Sequence, residues 1–279
     1  MIPEEKGTYS VAVCQFEPTF LDKYKNLQKM EEMVEKAANG GAKLAIFPEC
    51  CVTGYKTGAN MFKMASYAES LNEMLPGPSI ARLQKSVDRH KIQIIFGIPE
   101  KEGDQFYNST VHLIPNSNNF GCYRKTHMWD QEDKFFAKGT EFNTRQAPLG
   151  RLGSLICYDL EFPEASRILA LAGVNMIAVS TANMEPWDEY QIVLARARAM
   201  ENNVFVAVAN CIGNSGSTQF VGKSIIVDPF GRILVEAGRR EALLIADIDL
   251  RLCQEASNGT SYLRKRRADI YNALSMTSS

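Results

Sequence analysis

Cys157 is the residue in this chain best placed to act as a nucleophile. It ends the apolar run Leu152–Ile156, after which the chain breaks into Cys157-Tyr158-Asp159-Leu160-Glu161 and then Pro163. A strand that turns abruptly into a helix exposes the residue at the turn and aims the first helical N–H groups near it. Such groups lower a thiol's pKa, and the thiolate is the nucleophile. The competing reading is a small buried hydrophobe, the usual fate of a free cysteine. Glu49 follows a second apolar run, Leu44–Phe47, and a carboxylate where a buried strand runs out is costly unless it has a partner. Lys125 opens a third candidate segment, Tyr123 to Phe136, which is aperiodic and rich in charge and aromatics. Long irregular segments inside compact domains are functional or disordered, and the aromatics argue against disorder.

The elements that must position these residues alternate between strand and helix. Ser10–Phe16 reads as a first strand. Asp22 can cap a helix to about Ala38, with Leu27, Met30, Met33, Val34 and Ala37 on one face and Gly40-Gly41 as its stop. Helices are expected over Met61–Leu75 and Ser79–His90, and strands over Ile92–Ile98, Phe106–Ile114 and Phe120–Tyr123. Beyond Cys157 come a helix over Glu164–Ala172, a strand over Met176–Ser180 and a loop bearing Trp187. A helix over Tyr190–Glu201 and a strand over Val204–Asn210 follow. Cys211–Thr218 reads as a loop, Lys223–Glu236 as a hairpin around Asp228-Pro229-Phe230-Gly231, and Leu243–Asp249 as a last strand. This order predicts an α/β fold with helices outside buried strands. The strand-helix-strand order recurs after residue 150, which suggests two similar halves in one domain spanning 1–260. A tail at 261–279 is expected to dock on the domain or on a partner.

Composition removes several function classes. With 279 residues, 45% hydrophobic and 23% charged, the chain can bury a sizeable core. A net charge of −1 argues against nucleic acid as a partner, and Arg264–Arg267 reads better as one charged face than as a nucleic-acid signal. No apolar run is long enough for a membrane span, and the first ten residues lack a signal core, so a cytoplasmic address is expected. Seven cysteines, an odd number, point to free thiols. With no C-x-x-C and three scattered histidines, a zinc site is not expected.

Glu49, Lys125 and Cys157 each follow a predicted core strand, and in an open α/β sheet such strand ends line the ligand crevice. Together they resemble the nitrilase superfamily of carbon–nitrogen hydrolases. The resemblance rests on F-P-E-C at 47–50, Y-R-K-T-H-M-W at 123–129 and L-I-C-Y-D-L-E-F-P-E at 155–164. It continues through R-A-R-A-M-E-N at 196–202 and V-D-P-F-G-R at 227–232. It implies a four-layer α-β-β-α sandwich and a Glu-Lys-Cys site made of Glu49, Lys125 and Cys157. The family's second glutamate falls on Glu132 rather than Glu141. No metal or organic cofactor is implied, and a homodimer or larger homo-oligomer is.

The same resemblance orders the reactions. Tyr158 stands where nitrilases carry Trp, and Glu161 supplies no cation for a carboxylate-bearing N-carbamoyl substrate. The C-Y-D-L-E-F-P-E form is similar to bacterial aliphatic amidases. Hydrolysis of a small amide is therefore the expected reaction, with N-carbamoyl amine or nitrile hydrolysis as alternatives. A Glu161 facing the pocket would favour neutral or cationic substrates. Tyr158, Trp129, Glu161 and Met184 are the expected substrate contacts. A Cys-His pair fails because only His127 lies near the site. A scaffold with a dead site would be expected to have lost a member of the set.

Overall fold

The computed structural model describes residues 8–58, 60–72, 74, 76–147 and 149–276. The N-terminal segment 1–7 and residues 277–279 of the tail lie outside the described residues. The first half runs β1 (Thr8–Gln15), α1 (Lys23–Asn39), β2 (Ala42–Ile46), α2 (Asn60–Ser66), α3 (Pro78–His90), β3 (Gln93–Glu102), β4 (Gln105–Leu113) and β5 (Gly121–Arg124). The second runs β6 (Thr144–Ala147), β7 (Gly150–Ile156), α4 (Pro163–Leu171), β8 (Met176–Thr181), α5 (Asp188–Asn202) and β9 (Phe205–Asn210). It continues through β10 (Ile212–Ser215), β11 (Thr218–Val221), β12 (Ile225–Val227), β13 (Ile233–Glu236), β14 (Ala242–Asp249) and α6 (Arg251–Thr260).

Among the described residues the strands form two six-stranded sheets, ordered β14-β1-β2-β3-β4-β5 and β13-β12-β9-β8-β7-β6, and a β10-β11 ribbon. In each large sheet three parallel strands (β1-β2-β3 and β7-β8-β9) carry an antiparallel strand on one side and two on the other. The two halves therefore share one topology, as the repeated strand-helix order predicts.

Alternation along the strands builds the layers. Val11 and Val13 face the second sheet, where Ala178, Phe205, Ala207 and Ala209 meet them. Ala12 and Cys14, on the opposite face of β1, pack under Leu27, Met30 and Val34 of α1. On the second sheet Val206 and Val208 of β9 pack with Leu169 of α4 and with Ala195 and Ala199 of α5. The result is helix, sheet, sheet, helix. Asp22 caps α1 as expected, its carboxylate accepting from the Lys25 N–H at 3.0 Å.

Two local expectations fail. The helix expected to reach Leu75 stops at Ser66. Glu69 then pairs its backbone with β3, its N–H donating to Pro99 O and its C=O accepting from the Lys101 N–H. The Glu69 carboxylate accepts from the Ser79 N–H and hydroxyl at the start of α3, a use incompatible with continuing the helix. Residues 73 and 75 of that stretch lie outside the described residues. Cys211–Thr218 is largely the β10-β11 ribbon rather than an irregular loop. In the tail, Leu263 packs against the second sheet's helical layer, whereas Tyr262 and Ile270 are exposed.

Candidate active site

Glu49 sits three residues past β2, with Gly97 of β3 beneath it. A Cβ on Gly97 would lie 2.3 Å from Cys50 N and 2.6 Å from Glu49 Cα, so only glycine admits this segment. Cross-sheet bonds fix its position. The Ser180 hydroxyl donates to Phe47 O at 2.8 Å, and the Ala182 N–H donates to Glu49 Oε2 at 3.0 Å. Lys125 follows β5 directly, its N–H donating to Asn108 O and its C=O accepting from the Gly139 N–H. Glu132 begins the short 3-10 turn Glu132–Lys134.

These three side chains meet in a dry interior, each with no exposed side-chain surface. Lys125 Nζ lies 2.9 Å from Glu49 Oε1 and 2.8 Å from Glu132 Oε2. Asn108, in the middle of β4, donates from Nδ2 to both carboxylates, at 2.7 Å to Glu49 and 3.3 Å to Glu132. Glu132 also accepts from the Tyr55 hydroxyl at 3.0 Å and the Trp129 N–H at 2.8 Å. A buried charge set of this kind persists only when its lone pairs are filled.

Cys157 stands at the end of β7 with φ +49°, a left-handed conformation that a non-glycine residue adopts at a cost. The 3-10 turn Cys157–Glu161 leads from it into α4. Asp159 secures this elbow to the Lys125 segment. Its carboxylate accepts from the Ile156 N–H, the Tyr123 hydroxyl, the Thr126 hydroxyl and the His127 N–H. His127 Nδ1 lies 2.9 Å from the same carboxylate, and its ring stacks on Phe162 at 3.8 Å.

The electrostatics differ from expectation at the thiol. Burial pushes the Cys157 thiol well up and the Glu49 charge adds to the rise, whereas Lys125 and the Thr181 side chain offset it only in part. The net direction is upward, so the sulfur rests as a thiol. Burial likewise raises Glu49; Lys125 lowers it again in part, and the Glu132 charge pushes it further up. It is a stronger base than a surface glutamate. For Lys125, burial favours the neutral amine, but Glu132 and Glu49 outweigh it and hold the group as an ammonium.

Cys157 opens onto a cavity of about 160 Å³. All four expected substrate contacts, Tyr158, Trp129, Glu161 and Met184, line it, as do Tyr55 and Trp187. Asn183 completes the wall. Glu141 lies elsewhere, on the rim of a separate groove beside Glu100 and Arg124. Sequence reasoning missed Asn108, Tyr55 and Asp159. The one signal for Asn108 was an amide in the interior of a β-rich strand. Among the described residues no cluster of His, Cys, Asp and Glu could hold a metal, and no helix is long and apolar enough to cross a membrane.

Residues 10–258 match the model of the carbon-nitrogen hydrolase family. A Pseudomonas protegens protein described as "Hydrolase in pqqF 5'region" is 38% identical over 272 residues, covering 96% of this chain and 92% of the relative. An (R)-stereoselective amidase from Pseudomonas sp. is 36% identical over 229 residues, covering 82% of this chain and 81% of the relative. Among solved structures, a variant of the amidase from Nesterenkonia sp. AN1 superposes with a TM-score of 0.83 at 25% identity, over 97% of this chain and 98% of that one. In that structure the acetamide moiety of fluoroacetamide is covalently added at the active-site cysteine.

Proposed function

This chain belongs to the carbon-nitrogen hydrolase family and is an enzyme acting on C–N bonds. From that premise we propose that it hydrolyses a small aliphatic carboxamide to the carboxylate and ammonia through a cysteine thioester. The observation that carries the reading is the dry Glu49–Lys125–Glu132 cluster beside a thiol that opens onto a small cavity.

Glu49 takes the Cys157 proton as the sulfur attacks the amide carbon. Its raised basicity suits it to a thiol that is itself hard to ionise, so proton transfer accompanies attack. The Lys125 ammonium and the Tyr158 backbone N–H stabilise the oxyanion of the tetrahedral intermediate. Glu49 then returns the proton to the departing nitrogen, ammonia leaves, and a thioester remains. Water, deprotonated by Glu49, adds to the thioester carbonyl; the C–S bond breaks, the thiol is reprotonated and the carboxylate departs. Glu132 keeps Lys125 charged and aimed.

The test is ammonia release from one short acyl group presented as amide, nitrile and N-carbamoyl amine, with Cys157→Ala alongside. Release from the amide, abolished in the variant, supports the reading. Release only from the nitrile or the carbamoyl compound overturns it.

A further inference from the structure

Among the described residues Glu161 is the one charged side chain lining the cavity, and it also lines a recess of about 20 Å³ that shares Cys157 and Asn183 with it. Among the described residues its carboxylate makes neither a hydrogen bond nor an ion pair. Arg198, the guanidinium beside it, is committed elsewhere. Its Nε donates to Leu160 O, its Nη2 to Glu161 O and its Nη1 to Glu201. Lys125 acts on Glu161 only at a distance and already lies between two carboxylates. The rest of the wall is rich in π faces: Tyr55, Trp129, Tyr158 and Trp187.

A free carboxylate set among aromatic rings is the chemistry that recognises an alkylammonium, by ion pairing at one end and by cation–π attraction around it. The Glu161 carboxylate repels an acyl chain that ends in a carboxylate, and among the described residues no lining side chain is cationic to offset it. The cavity's volume corresponds to about five waters, which restricts the acyl group to a few heavy atoms. We propose that Glu161 makes this a site for short carboxamides whose acyl chain carries an ammonium group, in preference to neutral or carboxylate-bearing ones. The proposal rests on the amide-hydrolysis reading and names its substrate class.

Butanamide, 3-aminopropanamide and succinamate form a test series, the first two being nearly isosteric. The wild-type enzyme is expected to favour 3-aminopropanamide over butanamide by about tenfold in kcat/KM at neutral pH, with succinamate poorest. In Glu161→Gln that ratio should collapse toward one, and in Glu161→Arg the order should shift toward succinamate. A wild-type ratio of one or less, or a ratio that survives Glu161→Gln, overturns the proposal and leaves amide hydrolysis standing. If no amide is turned over, calorimetric titration of Cys157→Ala with the same three compounds separates the two claims. Tighter binding of 3-aminopropanamide would sustain the ammonium subsite while the hydrolysis reading falls. Equal or absent binding would overturn both.

Discussion

Replacing Glu132 by Gln keeps the shape of the buried cluster and removes one charge. Every group around Glu132 is a donor: Lys125 Nζ, the Tyr55 hydroxyl, Asn108 Nδ2 and the Trp129 N–H. A carboxylate accepts from all four, whereas a carboxamide has one acceptor oxygen. Turning the new NH₂ toward the Lys125 ammonium sets donor against donor, so the oxygen must face Lys125 and Trp129. The NH₂ then faces Tyr55, whose hydroxyl can rotate to accept, and Asn108, which loses its 3.3 Å contact but keeps the 2.7 Å bond to Glu49. What remains is the loss of a charge-assisted bond and of the larger of the two interactions that hold Lys125 protonated. For a fully buried pair this costs about 3 kcal/mol. In a chain of this size that lowers Tm by about 6–12 °C. Lys125 is drawn onto Glu49, weakening base and oxyanion donor together, so kcat/KM should fall about 100-fold or more. Thermal unfolding followed by circular dichroism and ammonia release from an amide substrate measure the two effects. A Glu132→Gln protein with unchanged Tm and turnover would refute the assignment of Glu132 to this cluster's electrostatics.

Two other expectations follow from buried polar groups. Burial, with Arg145 nearby, holds His112 down to about 3, so the folded state keeps it neutral while the unfolded chain protonates it near its ordinary value. The unfolded state binds the extra proton between those two values, so this contribution is intact above about pH 6.5 and shrinks as pH falls toward 3. Chemical denaturation should show about 2 kcal/mol lost between pH 7 and pH 5, with the slope reduced in His112→Gln; equal slopes would refute the attribution. Asp159→Asn removes acceptor capacity that six donor groups share, so stability should fall by about 2–3 kcal/mol and kcat with it. Urea midpoints beside initial rates check this, and a full rate in the variant would show that the elbow needs no such tie.

Much of the architecture was legible because it is written in apolar runs. Ile92–Ile98 and Val204–Asn210 are continuous because both faces of their strands are buried, and Glu49 and Cys157 stand where such runs break. Glu132 came from family resemblance, since its own segment has no period to read. What escaped was what depends on three-dimensional competition. Nothing local says that Glu69 will leave a helical pattern to pair with β3 and cap α3. Nothing local says that Asn108 will point between two carboxylates. The thiol pKa was misjudged for the same reason: the turn is a local feature, but burial and the Glu49 charge, which raise the thiol, come from the folded surroundings.

The carboxylates and the ammonium hang from one sheet and the sulfur from the other, with Ser180 and Ala182 stitching the second half onto the Glu49 segment. Each half thus carries an incomplete reagent. In the proposed mechanism the alignment of proton acceptor and nucleophile is a property of the seam between the halves and of the small side chains that let it close. Enlarging Ala178 or Ala207, which pack between the two sheets, is therefore expected to alter the separation of Glu49 and Cys157. Turnover in this enzyme doubles as a gauge of how tightly its two halves are shut.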